Sequence, residues 1–181
     1  ALLLSVAECY RRAGEFDKAM PLFDAVLKRE PESLDAKEGK GLTLMARGDF
    51  ETPVPLFEEV MRVDGKRWKT LNALGILFTT RNMEPEAQQY FEAALRANPD
   101  NPSVLNNIGL AQALNRHYDE ALASLQRASG LIPDGTPQRK RIDLNTALVL
   151  AIAGKTDQAR DVASKYYSGA ELDNNLGLYA H

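Results

Sequence analysis

The amino-acid sequence predicts an all-α fold: a right-handed solenoid of antiparallel helix hairpins. Three observations carry this. The stretch Leu105–Pro133 reads as a helix, a tight polar turn and a second helix, closed by a proline. Its landmarks recur every 34 residues, at Gly41, Gly75 and Gly109, with Ala7 one period earlier. The residue types around them keep step. Tyr10, Leu44, Phe78 and Gln112 lie three residues on, and Ala19, Pro53, Ala87 and Ala121 follow in the second helix. Then come Phe23, Phe57, Phe91 and Leu125, and finally Pro31, Gly65, Pro99 and Pro133.

Each residue type has a physical role. A small residue in each helix of a pair lets the two backbones approach closely where they cross. The large residue three positions later shares its helical face and fills the space beyond that contact. Proline cannot continue a helix and turns its predecessor away from helical dihedrals, so it separates one hairpin from the next. A lone hairpin cannot bury its apolar face; stacking against neighbours does.

The chain reads as a single array over 1–181. The first repeat covers about 1–31. Its helix A spans roughly 2–13 and ends at Gly14, and Asp17 is the expected cap of helix B. Pro21 matches Pro55 one period later. Proline is tolerated near a first turn, so helix B is expected to start late or kink in both repeats. The second repeat, 34–65, is the least regular. Pro53 takes the small position, Thr52 is the expected cap, and helix B is shortened to about 52–63. The third repeat, 68–99, opens its helix B at Glu84–Pro85. The fourth, 102–133, starts at Asn101–Pro102, with Asp119 the expected cap of its helix B. The linker PDGTPQRKR then lengthens the spacing. Helix A of the fifth repeat, 137–168, is expected over 137–153, with a turn at Gly154–Asp157. Ala163 stands where an aromatic is usual, so this repeat is weaker or a neighbour fills the gap. A partial sixth helix is expected over 170–181.

Composition excludes several function classes. The chain is 44% hydrophobic and 26% charged, with net charge −3, so nothing points to nucleic acid. No apolar run approaches the roughly 20 residues that span a bilayer, so no membrane insertion is expected. The chain begins at Ala1, inside a helical pattern, and reads as a fragment or processed form; any leader or anchor would lie upstream. Cys9 is the one cysteine, so no internal disulfide can form. Inside its helix it reads as a small buried hydrophobe. His117 and His181 lack ligand-spaced partners, so no metal or other cofactor is implied. There is no G-x-S-x-G, glycine-rich phosphate loop or H-E-x-x-H. Glu58–Glu59 and Glu84–Glu86 read as solvated helix faces. An enzyme is not expected.

The 34-residue pattern of small, aromatic, small, aromatic and proline positions resembles the tetratricopeptide repeat (TPR) across nearly the whole chain. That resemblance implies that the A helices line a concave groove. Groove positions lie two and three residues before the small residue, and one and four after it. One residue after it stand Glu8, Leu42, Ile76, Leu110, Leu148 and Leu178. Two or three before it stand Asn72, Asn106, Asn107, Asn145, Asn174 and Asn175. Asparagine is an indifferent helix former, so its recurrence needs a reason. A carboxamide can pair with a peptide N–H and C=O together, and a ladder of them could hold an extended backbone beside the leucine stripe. Alternatively these amides bond to the neighbouring helix and set the stacking. The candidate groove residues are Asn72, Ile76, Asn106, Asn107, Leu110, Asn145, Leu148 and Asn175. The subgroup that clamps a C-terminal carboxylate carries lysine and asparagines where this chain has Leu4, Glu8 and Gly39. Lys69 alone matches, so that specificity is not expected.

A narrower resemblance rests on the run from Asn145 to Ala159, on LIPDGTPQRKRIDLNTALVLAIAGKTDQAR, and on the later LDNNLGLYA. These are similar to the TPR lipoproteins of bacterial Tad/Flp pilus assembly. The likeness implies a protein or peptide partner and a role in assembling a pilus or secretion apparatus. It also implies a periplasmic place, anchored to the outer membrane through a lipid outside this fragment. The alternative is a cytoplasmic adaptor or regulator with the same groove and no pilus role.

Overall fold

The computed structural model describes residues 2–169 and 171–172. Among them are ten helices and no strand. They pair as α1 (Leu2–Arg12) with α2 (Phe16–Arg29), α3 (Leu34–Ala46) with α4 (Val54–Val63), and α5 (Trp68–Thr80) with α6 (Glu84–Ala97). The pattern continues with α7 (Pro102–Leu114) and α8 (Tyr118–Gly130), then α9 (Pro137–Ile152) and α10 (Thr156–Ala163). The all-α hairpin solenoid is therefore as expected. The chain divides into two compact units, Ala1–Ala97 and Asn98–His181. In the first, α1 touches α3 and α3 touches α5, while α2 packs on both α1 and α3. In the second, α7 touches α9 and α8 packs on both. Of the sixth helix expected over 170–181, only Glu171 and Leu172 are described.

The period has a steric cause. Gly41 lies on the ring of Phe57, and Gly75 on the ring of Phe91. A Cβ added at either would stand 2.6 Å from ring carbon Cε1. Gly109 lies on Leu125 in the same way, at 2.8 Å from Cγ. Phe57, Phe91 and Leu125 are buried, as are the small partners Ala19, Pro53, Ala87, Ala121 and Ala159. In the fifth repeat Ala163 is buried, and Tyr167 and Leu172 pack into that cluster, so a neighbour fills the missing ring.

Every A-to-B turn closes with one geometry. The N–H of Glu15, Asp49, Met83, His117 and Lys155 donates to the carbonyl five residues back, at 2.8–3.0 Å. The residue before each donor is left-handed: Gly14 (φ 75°), Gly48 (86°), Asn82 (56°), Arg116 (64°) and Gly154 (77°). This turn satisfies the last carbonyls of the first helix and delivers the chain into the second.

That geometry corrects the expected caps. The helix boundaries place Glu15, Pro53 and His117 at the N-caps of α2, α4 and α8, none with a side-chain cap bond. Asp17 and Asp119 fall in the first turn, where a negative charge acts on the helix dipole instead. Thr52 precedes α4, and Asp49 Oδ1 accepts from the Glu51 and Thr52 N–H groups. Asn101 and Thr136 do cap α7 and α9 through their side chains. Pro21 lies inside α2, which starts on time. The carbonyl it leaves without a helical partner belongs to exposed Asp17, where water can take it. Pro55, by contrast, sits in the first turn of the shortened α4. Cys9 is exposed rather than buried, because the face of α1 that packs inward runs through Ala7 and Tyr10.

In the second unit a buried carboxylate joins three segments. Asp143 on α9 accepts from Arg139 Nε (2.9 Å), Ser129 Oγ on α8 (3.1 Å) and the Tyr166 hydroxyl after α10 (2.8 Å). Burial would raise its pKa, but these three donors hold it below the usual carboxylate range. The Tyr166 phenol, half-buried and bonded to that carboxylate, is pushed up to about 12.

Arg116 pays the cost of a left-handed backbone with a Cβ, about 1–2 kcal/mol. Glycine at that position regains part of it against its own looser unfolded state. Arg116→Gly is therefore expected to raise stability by about 0.5–1 kcal/mol. An unchanged or lower urea midpoint would contradict this.

Candidate functional site

Asn72 and Ile76 lie half-buried on α5; Asn107 and Leu110 on α7, and Asn145 and Leu148 on α9, are half-buried as well. Asn106 on α7 is nearly buried. Asn175 lies outside the described residues. Three of these amides are linked. Asn145 Nδ2 donates to Asn106 Oδ1 at 2.7 Å, joining α9 to α7, and Asn106 Nδ2 donates to Asn107 Oδ1 at 3.3 Å. For Asn106 and Asn145 the amides do bond to the neighbouring helix.

The first unit uses the same repeat position differently. Glu38, like Asn106, stands three residues before the small residue and is nearly buried. It accepts from Thr70 Oγ1 at 2.7 Å and from the Arg67 guanidinium at 3.3 and 3.4 Å, tying α3 to α5 and its N-cap. Arg67 also pairs with Asp35. Sequence reasoning missed Glu38, although a charged residue stands there where Leu4 and Leu144 occupy the equivalent positions.

An open cavity of about 230 Å³ lies on these helices, lined by Leu4, Ser5, Glu8, Arg12, Asp35, Glu38, Gly39, Leu42, Arg67 and Lys69. Its carboxylates are internally paired. Glu8 accepts from Arg11 Nε and Nη2 at 2.7 and 2.6 Å and from Arg12 Nε at 3.0 Å. Partial burial would raise its pKa, but the bonds and charge of Arg11, with Arg12 and the charge of Lys69, outweigh that and bring it to about 2. A carboxylate so held stays ionised near neutral pH and has no proton to give. Gly39 packs against the Phe23 ring, leaving no room for an asparagine there. Among the described residues no group of three His, Cys, Asp or Glu could hold a metal. No described helix is long and apolar enough to cross a membrane.

Removing the Asn145 amide would strand the nearly buried Asn106 carbonyl. Asn145→Ala should cost about 1–3 kcal/mol in chemical denaturation, and the paired change Asn106→Leu with Asn145→Leu should cost less than that single one. Glu8, with its folded pKa near 2 against an ordinary 4.5, contributes stability fully above pH 4.5 and loses it as pH falls through 2. Glu8→Gln should thus lower the urea midpoint at pH 7 and leave almost no difference from wild type near pH 2. A gap that persists unchanged at low pH would show that the ion pair is not its source.

A sequence profile described as tetratricopeptide repeat matches residues 7–60 and 85–136, more than half of the chain. No curated protein matches it. Among solved structures, the thermophilic TPR protein TTC0263 of Thermus thermophilus is 21% identical, with TM-score 0.78, covering 98% of this chain and 95% of its own. MamA of Desulfovibrio magneticus RS-1 is 16% identical, with TM-score 0.66, covering 91% and 90%. Both likenesses show the fold. PilF of Pseudomonas aeruginosa is 25% identical, with TM-score 0.66, covering 83% of this chain and 67% of that one. With the profile matched over two separate stretches, and five hairpins closed by one recurring turn, the chain belongs to the tetratricopeptide repeat family.

Proposed function

We propose that this chain is a protein-interaction scaffold that holds a partner peptide or helix against its A helices, as an assembly factor of a bacterial Tad/Flp pilus or secretion apparatus. The observation that carries the scaffold reading is the apolar side of α7 and α9. Leu114 is 73% exposed and Ile152 42%, beside half-buried Leu110 and Leu148. Aliphatic surface left open on adjoining helices is surface for a partner to cover. The pilus reading is supported by the run Asn145–Ala159 and by the likeness to PilF. With it goes a single TPR array placed in the periplasm, lipid-anchored from outside this chain. Ile76, Leu110, Leu148 and the amides Asn72 and Asn107 are the proposed contact residues. A cytoplasmic adaptor is the second reading. The exposed thiol of Cys9 favours it, because free surface cysteines persist in reducing compartments.

The test is a photo-crosslinking amino acid placed in living host cells at Ile76, Leu110 or Leu148, with exposed Gln126 on α8 as control. The expected outcome is a protein adduct from the three A-helix positions, absent from the control, containing a pilus or secretion component. Adducts equal at all four positions, or at none, would remove the scaffold reading. An adduct with an unrelated protein would remove the pilus role alone.

A further inference from the structure

The faces of α7 and α9 that the scaffold reading uses carry their own polarity. On α9, Arg141, Asn145, Leu148 and Ile152 recur at spacings of four, three and four, one stripe of a helix. On α7, Ser103, Asn107, Leu110 and Leu114 occupy the same repeat positions. The bond from Asn145, on the α9 stripe, to Asn106, next to Asn107 of the α7 stripe, joins the two helices. Both stripes therefore run from a polar end to an aliphatic end, and the aliphatic end, Leu114 and Ile152, is open to solvent.

The charges on these two helices are almost all committed. α7 carries no charged residue in its length. On α9, Arg139 and Asp143 pair with each other, and the Lys140 ammonium lies over the Tyr166 and Tyr167 rings at 5.5 and 5.2 Å. Arg141 is exposed and has no ion pair among the described residues. It marks the polar end with an uncompensated positive charge. From Arg141 to Ile152 the helix rises about 16 Å. That is the length of about five residues of extended chain.

We infer that the α7–α9 face takes a peptide segment with a carboxylate at one end, set on Arg141, and aliphatic or aromatic side chains at the other, set on Leu114 and Ile152. The inference rests on the scaffold reading and specifies its ligand. Aspartate or glutamate satisfies the guanidinium through paired N–H groups. The apolar end covers side chains that water now surrounds. A basic segment would place like charges together, and a wholly apolar one would bury Arg141 unpaired.

The test selects a phage-displayed library of random 12-residue peptides on the full chain. Enriched peptides are then titrated by fluorescence anisotropy against wild type, Arg141→Glu and Leu114→Asp. The expected peptides carry Asp or Glu toward one end and Leu, Ile, Phe or Met toward the other. Both substitutions should weaken them by about tenfold or more, while circular dichroism melting stays at the wild-type value because both sites are exposed. Selection on Arg141→Glu should instead enrich Lys or Arg. Apolar peptides without an acid, bound equally by Arg141→Glu, would overturn this inference and leave the scaffold reading standing. Peptides indifferent to both substitutions bind elsewhere and would overturn it too. No enrichment on wild type would overturn both. Wild-type self-association in sedimentation, abolished by Leu114→Asp, would make a second copy the occupant and overturn the acidic segment.

Discussion

The closest constraint in this molecule is the contact between a backbone and a ring. Where helix A crosses helix B, the glycine at Gly41 or Gly75 lies so near Phe57 or Phe91 that no Cβ fits between them. A fully buried phenylalanine side chain stabilises by about 1.5–3 kcal/mol, and here it does so against main chain. The crossing point sets where the turn must close, and so where the left-handed residue stands. It also sets which residues of helix A face inward and which are left for other uses. In the first hairpin Ala7 takes the small place, and Phe23, in one cluster with it, also packs on Gly39 of α3, so the contact stitches one hairpin to the next.

Neighbouring A helices are held by a second device, polar and nearly buried. Glu38 bonds to Thr70 and Arg67 in the first unit; Asn106 bonds to Asn145 in the second. The two anchors share a repeat position but not a chemistry. An ion pair so placed is costly to desolvate and is helped by further hydrogen bonds, which Thr70 and Asp35 supply. A carboxamide pair costs less to bury and adds no charge. The face beside Glu38 accordingly carries many paired charges, whereas α7, which carries Asn106, has no charged residue in its length.

The fold was legible because its landmarks are steric. Glycines under rings and prolines between hairpins recur at a fixed stride whatever lies between them. The caps were less legible, because a shared turn does the work that Asp17, Thr52 and Asp119 were expected to do. Glycine at 14, 48 and 154 advertises the turn's left-handed residue. Asn82 and Arg116 hide it, since nothing in an arginine announces a positive φ. Cys9 was misjudged by residue type, when its place on α1 decided its exposure. In the candidate site, the recurrence of asparagine was visible but its use was not. Whether two amides on different helices touch depends on the offset between those helices. Asn106 and Asn145 stand three and two residues before their small residues, an offset no single repeat displays. Arg141 was passed over because its meaning lies in its neighbours' prior engagements, visible only in three dimensions.

Cys9 carries a practical consequence. It is the chain's one thiol, open to solvent, on the helix that carries Glu8 and Arg12 to the ionic cavity. A maleimide dye or spin label would therefore attach at one defined spot with every other residue native. The helix that misled the eye becomes the natural place to mount a reporter.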